Sequence, residues 1–307
     1  MSVIGNNQEK RENFVIVDAN AFVHSCFHGY SPCLDAKKED HRVLYGIMNS
    51  LVDLTFQLPQ IDYLYVIFDP PDGSLYRKSI YPAYKANRPP TDPDLARQKI
   101  VAMKVLEDHL GIPTLTYPGY EADDIIGTLA KLAAKEYNVI VVSPDKDLAQ
   151  LVDDNVILLR KIKTRYERGY KALNTSKVYE NFGVYPNQIP DWLALVGDKA
   201  DNLPGLEKVG DKTAASLLNM YPSIEHMFAM LHQFDNQKIK IQMEEKRDTI
   251  ILVKKLATII CDLPLMTLAE EAIVKADKIR THHRYHEKLL LIKKHYDWPE
   301  HFISLFK

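Results

Sequence analysis

Short apolar runs alternate with longer amphipathic segments through the first half of this 307-residue chain. The runs lie at 14–17, 63–68, 139–142 and 156–159. Between them, apolar residues recur with helical spacing, first over 44–54 and again over 125–132. Runs that are apolar on both sides are typical of parallel strands with helices packed on both faces. The pattern therefore predicts an α/β fold built on a parallel sheet.

The second half of the chain has a different pattern. From about residue 185 no further strand is predicted, and helical periodicity takes over. The predicted helical segments cover 189–196, 211–219, 223–231, 243–260 and 283–295. We expect two domains, an α/β core over 14–184 and a helical region over 185–307.

Composition excludes several classes of protein. With 46% hydrophobic and 26% charged residues, the chain is neither disordered nor fibrous. Cys26, Cys33 and Cys261 have no CxxC or Cys/His spacing, which argues against a disulfide framework and a structural zinc site. The N-terminus is polar, and no apolar run is long enough to span a membrane. We expect a cytoplasmic protein that has no membrane contact.

Residues 70–95 interrupt the alternation with a stretch rich in proline, tyrosine and basic side chains. In a core, so many prolines and charges would leave backbone groups without hydrogen-bond partners. We therefore expect an exposed and mobile excursion above the sheet.

Aspartates follow three of the apolar runs closely. Asp18 follows the first run, Asp69 the second, and Asp145 and Asp147 the third. Parallel strands end at one edge of a sheet, where ligands bind in open α/β folds, so these side chains are expected to converge there. The alternative for each aspartate is that it starts a turn or caps the next helix.

Three further acids, Glu121, Asp123 and Asp124, begin a strongly amphipathic helical segment. Acids in a first turn favour the helix dipole by about 0.3–1 kcal/mol each, which does not require three within four residues. Carboxylates 4 Å apart repel by about 4 kcal/mol at an effective dielectric of about 20, so such a cluster must be protonated, separated or neutralised by cations. All-oxygen ligation favours Mg²⁺ or Mn²⁺ over zinc.

A metal site at a sheet edge also occurs in phosphatases of the aspartyl-phosphate type. Asp18 with Asn20 imitates part of their nucleophile motif, but Ala21 and Phe22 follow where that motif continues differently. The fit is poor, and the acids alone do not specify a reaction.

Five sequence blocks occur in the order and at the spacing of a known family. They are VDANAF, YRKSIYPAYKANRPP, EADDIIGTLA, SPDKDLAQLV and the segment GDKADNLPGLEKVGDKTAASLL. Over about 14–263 the chain resembles the bacterial 5' nucleases, that is, the N-terminal 5'-3' exonuclease domain of DNA polymerase I and the phage flap endonucleases. The resemblance implies a PIN-like core with a helical arch over 70–108. It also implies a helical DNA-binding region with a helix-two-turn-helix motif over 189–220.

The resemblance also implies a set of metal-binding acids for two Mg²⁺ ions, which Mn²⁺ can replace. The positions that match are Asp18, Asp69, Glu121, Asp123, Asp124, Asp145, Asp147, Asp198 and Asp201. The first ion is expected among Asp69, Glu121, Asp123 and Asp124, with Asp18 near both ions, and the second among the other four acids. Once these nine acids are set aside, the 39 basic residues outnumber the remaining acids, which allows a basic exterior.

The same resemblance implies contacts to DNA. Lys85 and Arg88 are the expected catalytic cations at the scissile phosphate, with Arg77 beside them at the base of the arch. Tyr84 is expected to stack on an unpaired base, a contact worth about 1–3 kcal/mol. Composition alone favours a solvated basic loop with its tyrosines packed on the sheet.

In the helix-two-turn-helix motif, the expected contacts to duplex phosphates come from backbone amides, a helix N-terminus and nearby cations. The residues that match are Lys208, Gly210, Lys212 and Thr213, with a K⁺ ion bound by carbonyls in the same turn. Ser25, Pro144 and Glu207 depart from the family pattern. Ser25 stands where polymerase I relatives have an arginine.

The resemblance therefore implies a Mg²⁺-dependent, structure-selective 5' nuclease. Its expected substrate is branched or nicked DNA with a free 5' end, and the protein is expected to be a monomer. RNA primers as a substrate and a DNA polymerase as a partner stay open. The alternatives are a noncatalytic clamp for branched DNA, and another metal-dependent phosphohydrolase or ribonuclease.

Overall fold

The computed structural model describes residues 11–35, 38–58, 60–163 and 168–264. Within them, one six-stranded sheet has the order β3-β2-β1-β4-β5-β6. The strands are β1 Asn13–Asp18, β2 Tyr63–Ile67, β3 Thr114–Leu115, β4 Asn138–Val142, β5 Val156–Lys163 and β6 Arg168–Leu173. Strands β1 to β5 run parallel to one another, and β6 runs antiparallel to β5. The predicted α/β fold with a parallel sheet is confirmed.

Helices cover both faces of the sheet, as the two-sided apolarity of the strands predicts. Those of the first half are α1 Ala19–Gly29, α2 Arg42–Gln57, α3 Leu75–Ile80, α4 Pro93–Lys104 and α5 Ala122–Ala133. In β1, Phe14 and Ile16 join a core with α5, while Val15 and Val17 join a second core with α1, α2 and α4. This alternation follows from the two-residue period of a strand.

A helical region follows the sheet. Its helices are α6 Thr175–Phe182, α7 Ile189–Val196, α8 Asp211–Met220, α9 Ile224–Ala229, α10 Gln237–Glu245 and α11 Arg247–Ala257. Side chains of α7, α8 and α11 belong to the same core as α5, so this region packs directly on one face of the sheet. None of the helices in the described residues combines the length and apolarity that a membrane crossing requires.

Several predicted elements change in detail. The segment predicted as one helix over 243–260 belongs to two helices. Helix α10 begins earlier, after the Asn236 cap, and ends before Lys246, where α11 follows. The prediction misses β3, which has two residues, and β6, whose sequence RGYKAL has no apolar run. The helix predicted at 283–295 lies outside the described residues.

The prediction that 70–95 is an exposed excursion is wrong for its central part. Arg77 in α3 is 4% exposed and Tyr84 is 2% exposed. The backbone groups that the prediction left unpaired find partners in local turns and in the loop 198–203, where Lys85 N donates to Asp201 O at 3.0 Å. Such long-range partners are not visible in local composition.

Candidate metal and nuclease site

The carboxyl ends of β1 and β2 are joined by Asn20. The Asn20 backbone N–H donates to Asp18 Oδ1 at 3.0 Å, so Asp18 caps α1 as the alternative interpretation of that aspartate expects. The Asn20 side chain accepts a hydrogen bond from the Asp69 backbone N–H at 3.0 Å. One residue therefore fixes the two aspartates that follow neighbouring strands.

Ser143 joins β1 to β4 in the same way. Its hydroxyl is fully buried, donates to Asp18 Oδ2 at 2.7 Å and accepts from the Asp145 backbone N–H at 3.0 Å. Ser143 is not among the site residues predicted from the sequence. A serine directly after a buried apolar strand is the signal that would have identified it.

The N-terminus of α5 completes this edge of the sheet. The Ala122 N–H donates to Asp69 Oδ1 at 2.7 Å, which brings α5 against the end of β2. Glu121 and Asp124 form a capping box at the start of the helix. The aspartates after β1, β2 and β4 and the acids of α5 thus come together at the carboxyl edge, as predicted.

Five of the predicted metal-binding acids take part in no ion pair within the described residues, and we call them the unpaired acids. They are Asp18, Asp69, Asp123, Asp145 and Asp147. Burial, with the charges of Asp69 and Asp145, raises the pKa of Asp18 to about 7 despite the hydrogen bond from Ser143. Burial and the charge of Asp145 likewise raise the pKa of Asp147 to about 7.

Two further observations indicate that the negative charge of the unpaired acids is not balanced by positive groups of the protein. Burial and the charges of Asp145 and Asp18 raise the pKa of Asp123 well above its ordinary value. Asp147 Oδ1 is buried and has no hydrogen-bond partner. Buried carboxylates normally have partners, so this group has the character of a cation site.

The other four predicted metal-binding acids are bound by basic residues, and we call them the paired acids. They are Glu121, Asp124, Asp198 and Asp201. Lys85 Nζ lies 2.6 Å from Glu121 Oε1, and Lys146 Nζ lies 3.0 Å from Asp198 Oδ2. Burial acts to raise the pKa of Glu121, but the charges of Lys85 and Arg77 hold this pKa below its ordinary value.

Lys85 and Arg88 border the site. Lys85 has a left-handed backbone with φ of 52°, and its side chain is 14% exposed. The Arg88 guanidinium lies 2.6 Å from Asp201 Oδ1, and the Arg88 side chain as a whole is 51% exposed. Burial acts to lower the pKa of Lys85, but the charges of Glu121 and Asp201 outweigh burial and raise this pKa above its ordinary value. The edge of the site therefore carries two fixed cations, of which Arg88 has donors that face solvent.

The structure contradicts the predicted DNA contacts of Arg77 and Tyr84. Arg77 is buried and binds Asp124 through two hydrogen bonds of 2.6 and 2.8 Å. The Tyr84 ring belongs to the core, and its hydroxyl oxygen lies within hydrogen-bond distance of both Glu121 Oε2 and Asp201 Oδ2, at 2.9 Å from each. Neither side chain has a face left for a phosphate or a base.

The structure also contradicts the prediction that Asp124 is a metal ligand. Asp124 is fully buried, and its two oxygens accept four hydrogen bonds, from Arg77 twice, from Ile260 N and from Glu121 N. A carboxylate offers about four acceptor positions, so none is left for a cation.

The predicted helix-two-turn-helix contacts lie around the start of α8. Lys208, Gly210 and Lys212 are exposed, and Thr213 is partly exposed. Lys208 has a left-handed backbone with φ of 62°, and a Cβ added at Gly210 would meet no atom within 4 Å. The turn and the first amides of α8 are thus accessible, while the K⁺ ion stays a prediction.

The donor chemistry of the unpaired acids fits a hard divalent cation, because every available donor is an oxygen. The oxygens are not drawn tightly together. In the described residues, the one group of three with ligand atoms within 4.8 Å of each other is Asp35, Glu39 and His41, in the loop between α1 and α2. Cations at the sheet edge would therefore have few direct protein ligands at once.

The chain is similar to known proteins in both sequence and fold. Residues 13–183 match the family model of the 5'-3' exonuclease N-terminal resolvase-like domain, and residues 184–280 match that of the 5'-3' exonuclease C-terminal SAM fold. The 5'-3' exonuclease of Aquifex aeolicus is 36% identical over 261 residues, covering 85% of this chain and 86% of the relative.

The DNA polymerase I of Caldicellulosiruptor bescii is 35% identical over 263 residues, which cover 85% of this chain and 30% of that polymerase. The chain thus spans less than a third of the length of that relative. Among solved structures, T5 5'-exonuclease with bound zinc has the same fold, with a TM-score of 0.65 at 22% identity over 92% of this chain and 99% of the T5 chain. By its family models and its relatives, this chain belongs to the 5'-3' exonuclease family.

Proposed function

We propose that this chain is a divalent-metal-dependent, structure-selective 5' nuclease that hydrolyses phosphodiester bonds near the 5' ends of branched or nicked DNA. One observation carries the proposal. The unpaired acids share the carboxyl edge of the sheet with two fixed cations, Lys85 and Arg88. Anionic groups that bind metal beside cations that bind phosphate are what phosphodiester hydrolysis requires.

We assign the metal site to Mg²⁺, with two ions and with Mn²⁺ as a substitute. When bound, such ions activate water and offset charge on the scissile phosphate. Asp18, Asp69 and Asp123 would surround the first ion, one or two of them binding it directly and the rest through its waters, and Asp145 and Asp147 would hold the second. The loose arrangement of the oxygens suits Mg²⁺, which usually keeps several of its waters and takes one or two carboxylates.

The paired acids have a different part in this proposal. Glu121, Asp198 and Asp201 already hold protein cations, so we assign them contacts to the ions through water. Asp124 has no free acceptor and is left out of the metal site.

Lys85 and Arg88 are the proposed catalytic cations. Glu121 and Asp201 hold their charged ends at the edge of the site before substrate arrives, which avoids the cost of ordering them later. Both would bind non-bridging oxygens of the scissile phosphate and stabilise the charge that develops there.

We assign the duplex part of the substrate to the turn before α8. Lys208, Lys212 and the amides that begin at Gly210 are accessible there and would bind phosphates without reading sequence. A K⁺ ion in this turn belongs to the same proposal. Solved structures of similar fold support a DNA substrate, since one is a T5 flap endonuclease complex with DNA and metal ions and another is the Rad2 catalytic core with DNA.

The setting follows from the relatives. Several are DNA polymerases I whose matching segment is about a third of their length, so we propose that this nuclease acts on DNA made by a polymerase. We propose that it acts in the cytoplasm as a monomer, with RNA primers among the 5' strands it removes.

A labelled 5'-flap oligonucleotide, incubated with Mg²⁺ and separately with EDTA, tests the function. We expect cleavage in Mg²⁺ only, and loss of cleavage in Asp145→Ala/Asp147→Ala. Glu136→Ala/Asp154→Ala removes two exposed acids outside the proposed site and serves as the matched control, with cleavage unchanged. Binding of the flap without product in Mg²⁺ would support the noncatalytic clamp instead.

A further inference from the structure

Arg77 is buried beside the proposed active site, and each of its N–H groups has a polar partner within the protein. Its Nε donates to Leu256 O at 2.9 Å, and its two terminal nitrogens bind Asp124. One of these nitrogens also donates to Thr258 O at 3.3 Å, and the other lies 3.4 Å from Glu121 Oε2. No donor is left for a phosphate, although Arg77 belongs to the segment that carries the catalytic cations.

The carbonyls that Arg77 binds are at the C-terminal end of α11. They are 179 and 181 residues away along the chain, so Arg77 joins two distant parts of the molecule. A helix C-terminus carries partial negative charge, which favours a cation there. The Ile260 N–H, just beyond the helix, donates to Asp124 Oδ1 at 3.0 Å.

Asp124 connects this junction to the proposed site. Its Oδ2 accepts from the Glu121 backbone N–H at 3.3 Å, while Arg77 lies beside the Glu121 side chain. Glu121 in turn holds Lys85 at 2.6 Å. The contacts therefore run without a break from the end of α11 through Arg77 and Asp124 to Glu121 and Lys85.

We propose that Arg77 and Asp124 form a positioning pair, which fixes Glu121 and Lys85 relative to the helical region and touches neither metal nor DNA. The role in catalysis rests on the proposed function. The bidentate geometry is rigid, and because the pair also binds α11, it sets the orientation of the proposed duplex-binding region against the cleavage site.

The test compares Asp124→Asn with Asp123→Asn, its neighbour among the unpaired acids, and adds Arg77→Gln and the double variant Arg77→Gln/Asp124→Asn. Flap cleavage is measured over a Mg²⁺ titration. We expect Asp123→Asn to raise the Mg²⁺ midpoint. Arg77→Gln and Asp124→Asn should leave the midpoint unchanged and lower the rate at saturating Mg²⁺ by about 10–100-fold.

Because the two residues act as one unit, the double variant should be no slower than the slower single variant. Lys177→Gln, which breaks the exposed pair with Glu180 on α6, is the control and should cleave like the wild type. A Mg²⁺ midpoint that Asp124→Asn raises as much as Asp123→Asn does would make Asp124 a metal ligand and overturn the proposal. A lower salt dependence of DNA binding in Arg77→Gln, with an unchanged rate, would make Arg77 a phosphate contact and also overturn it.

Hydrogen exchange on the wild-type chain provides the test if these variants do not fold. The pair predicts that the amides of Glu121 and Ile260 exchange slowly and that Mg²⁺ does not change their rates. A Mg²⁺-dependent change at Ile260 would contradict the pair. This measurement needs no cleavage, so it distinguishes the two proposals. A wild-type chain that fails to cut flaps in Mg²⁺ would refute the proposed function, while slow exchange at both amides would still support the pair.

Discussion

The unpaired and paired acids lie side by side, yet they differ in what balances their charge. The structure surrounds Glu121, Asp124, Asp198 and Asp201 with arginine and lysine side chains. Among the described residues the unpaired acids form no ion pair, and burial with mutual repulsion raises the pKa of Asp18, Asp123 and Asp147. The protein thus balances the charge of one set with its own basic side chains and leaves the charge of the other set without such a balance.

This contrast predicts an unusual pH dependence of stability in EDTA. A carboxyl whose folded pKa is raised binds more protons when folded, so its contribution to stability falls as pH rises from its ordinary pKa of 3.8 to about 7. For Asp18 the loss is about 4 kcal/mol. Urea unfolding of the metal-free chain between pH 4 and pH 8 measures it, and Mg²⁺ should restore the stability at pH 8. A stability that rises steadily over this range would contradict the assignment of uncompensated charge.

Single substitutions in the two sets are expected to change the free energy of unfolding by smaller amounts and in opposite directions. At pH 8 in EDTA, Asp123→Asn removes a repelled charge and should stabilise the fold by about 0.5–2 kcal/mol. Asp198→Asn breaks the pair with Lys146 and should destabilise it by about 0.2–1 kcal/mol, because the lysine is partly exposed. Thermal unfolding distinguishes the signs, and equal signs would remove the distinction between the sets.

The smallest effect on stability is expected at the rim of the site. Arg88→Gln breaks a pair in which the arginine is half exposed, so the free energy of unfolding should change by less than about 1 kcal/mol. Its cleavage rate should nevertheless fall about 100–1,000-fold, as expected for loss of a donor to the transition state. An unchanged rate would exclude Arg88 as a catalytic cation.

Much of this arrangement is predictable from sequence, for local reasons. The strands β1, β2, β4 and β5 are apolar enough to be recognised, and the edge at which parallel strands end follows from geometry. The acids at that edge are therefore predictable as a group. The basic strand β6 is missed because its role is to pair with β5, not to supply an apolar run.

The roles of individual residues within the site are less predictable. Sequence identifies Arg77, Tyr84 and Asp124 as polar residues in family motifs, but their partners decide what they do. Arg77 is buried because carbonyls 179 and 181 residues away accept its hydrogen bonds. Tyr84 is buried because its hydroxyl lies between Glu121 and Asp201. Such partners appear only when the helical region packs against the sheet.

Calorimetric titration of Mn²⁺ into the metal-free chain at pH 8 tests most directly whether the unpaired acids form a cation site. We expect the wild type and the control Glu136→Ala/Asp154→Ala to bind Mn²⁺ with the same affinity and stoichiometry. In Asp145→Ala/Asp147→Ala at least one ion should be lost. Binding by this variant with the wild-type affinity and stoichiometry would contradict the account.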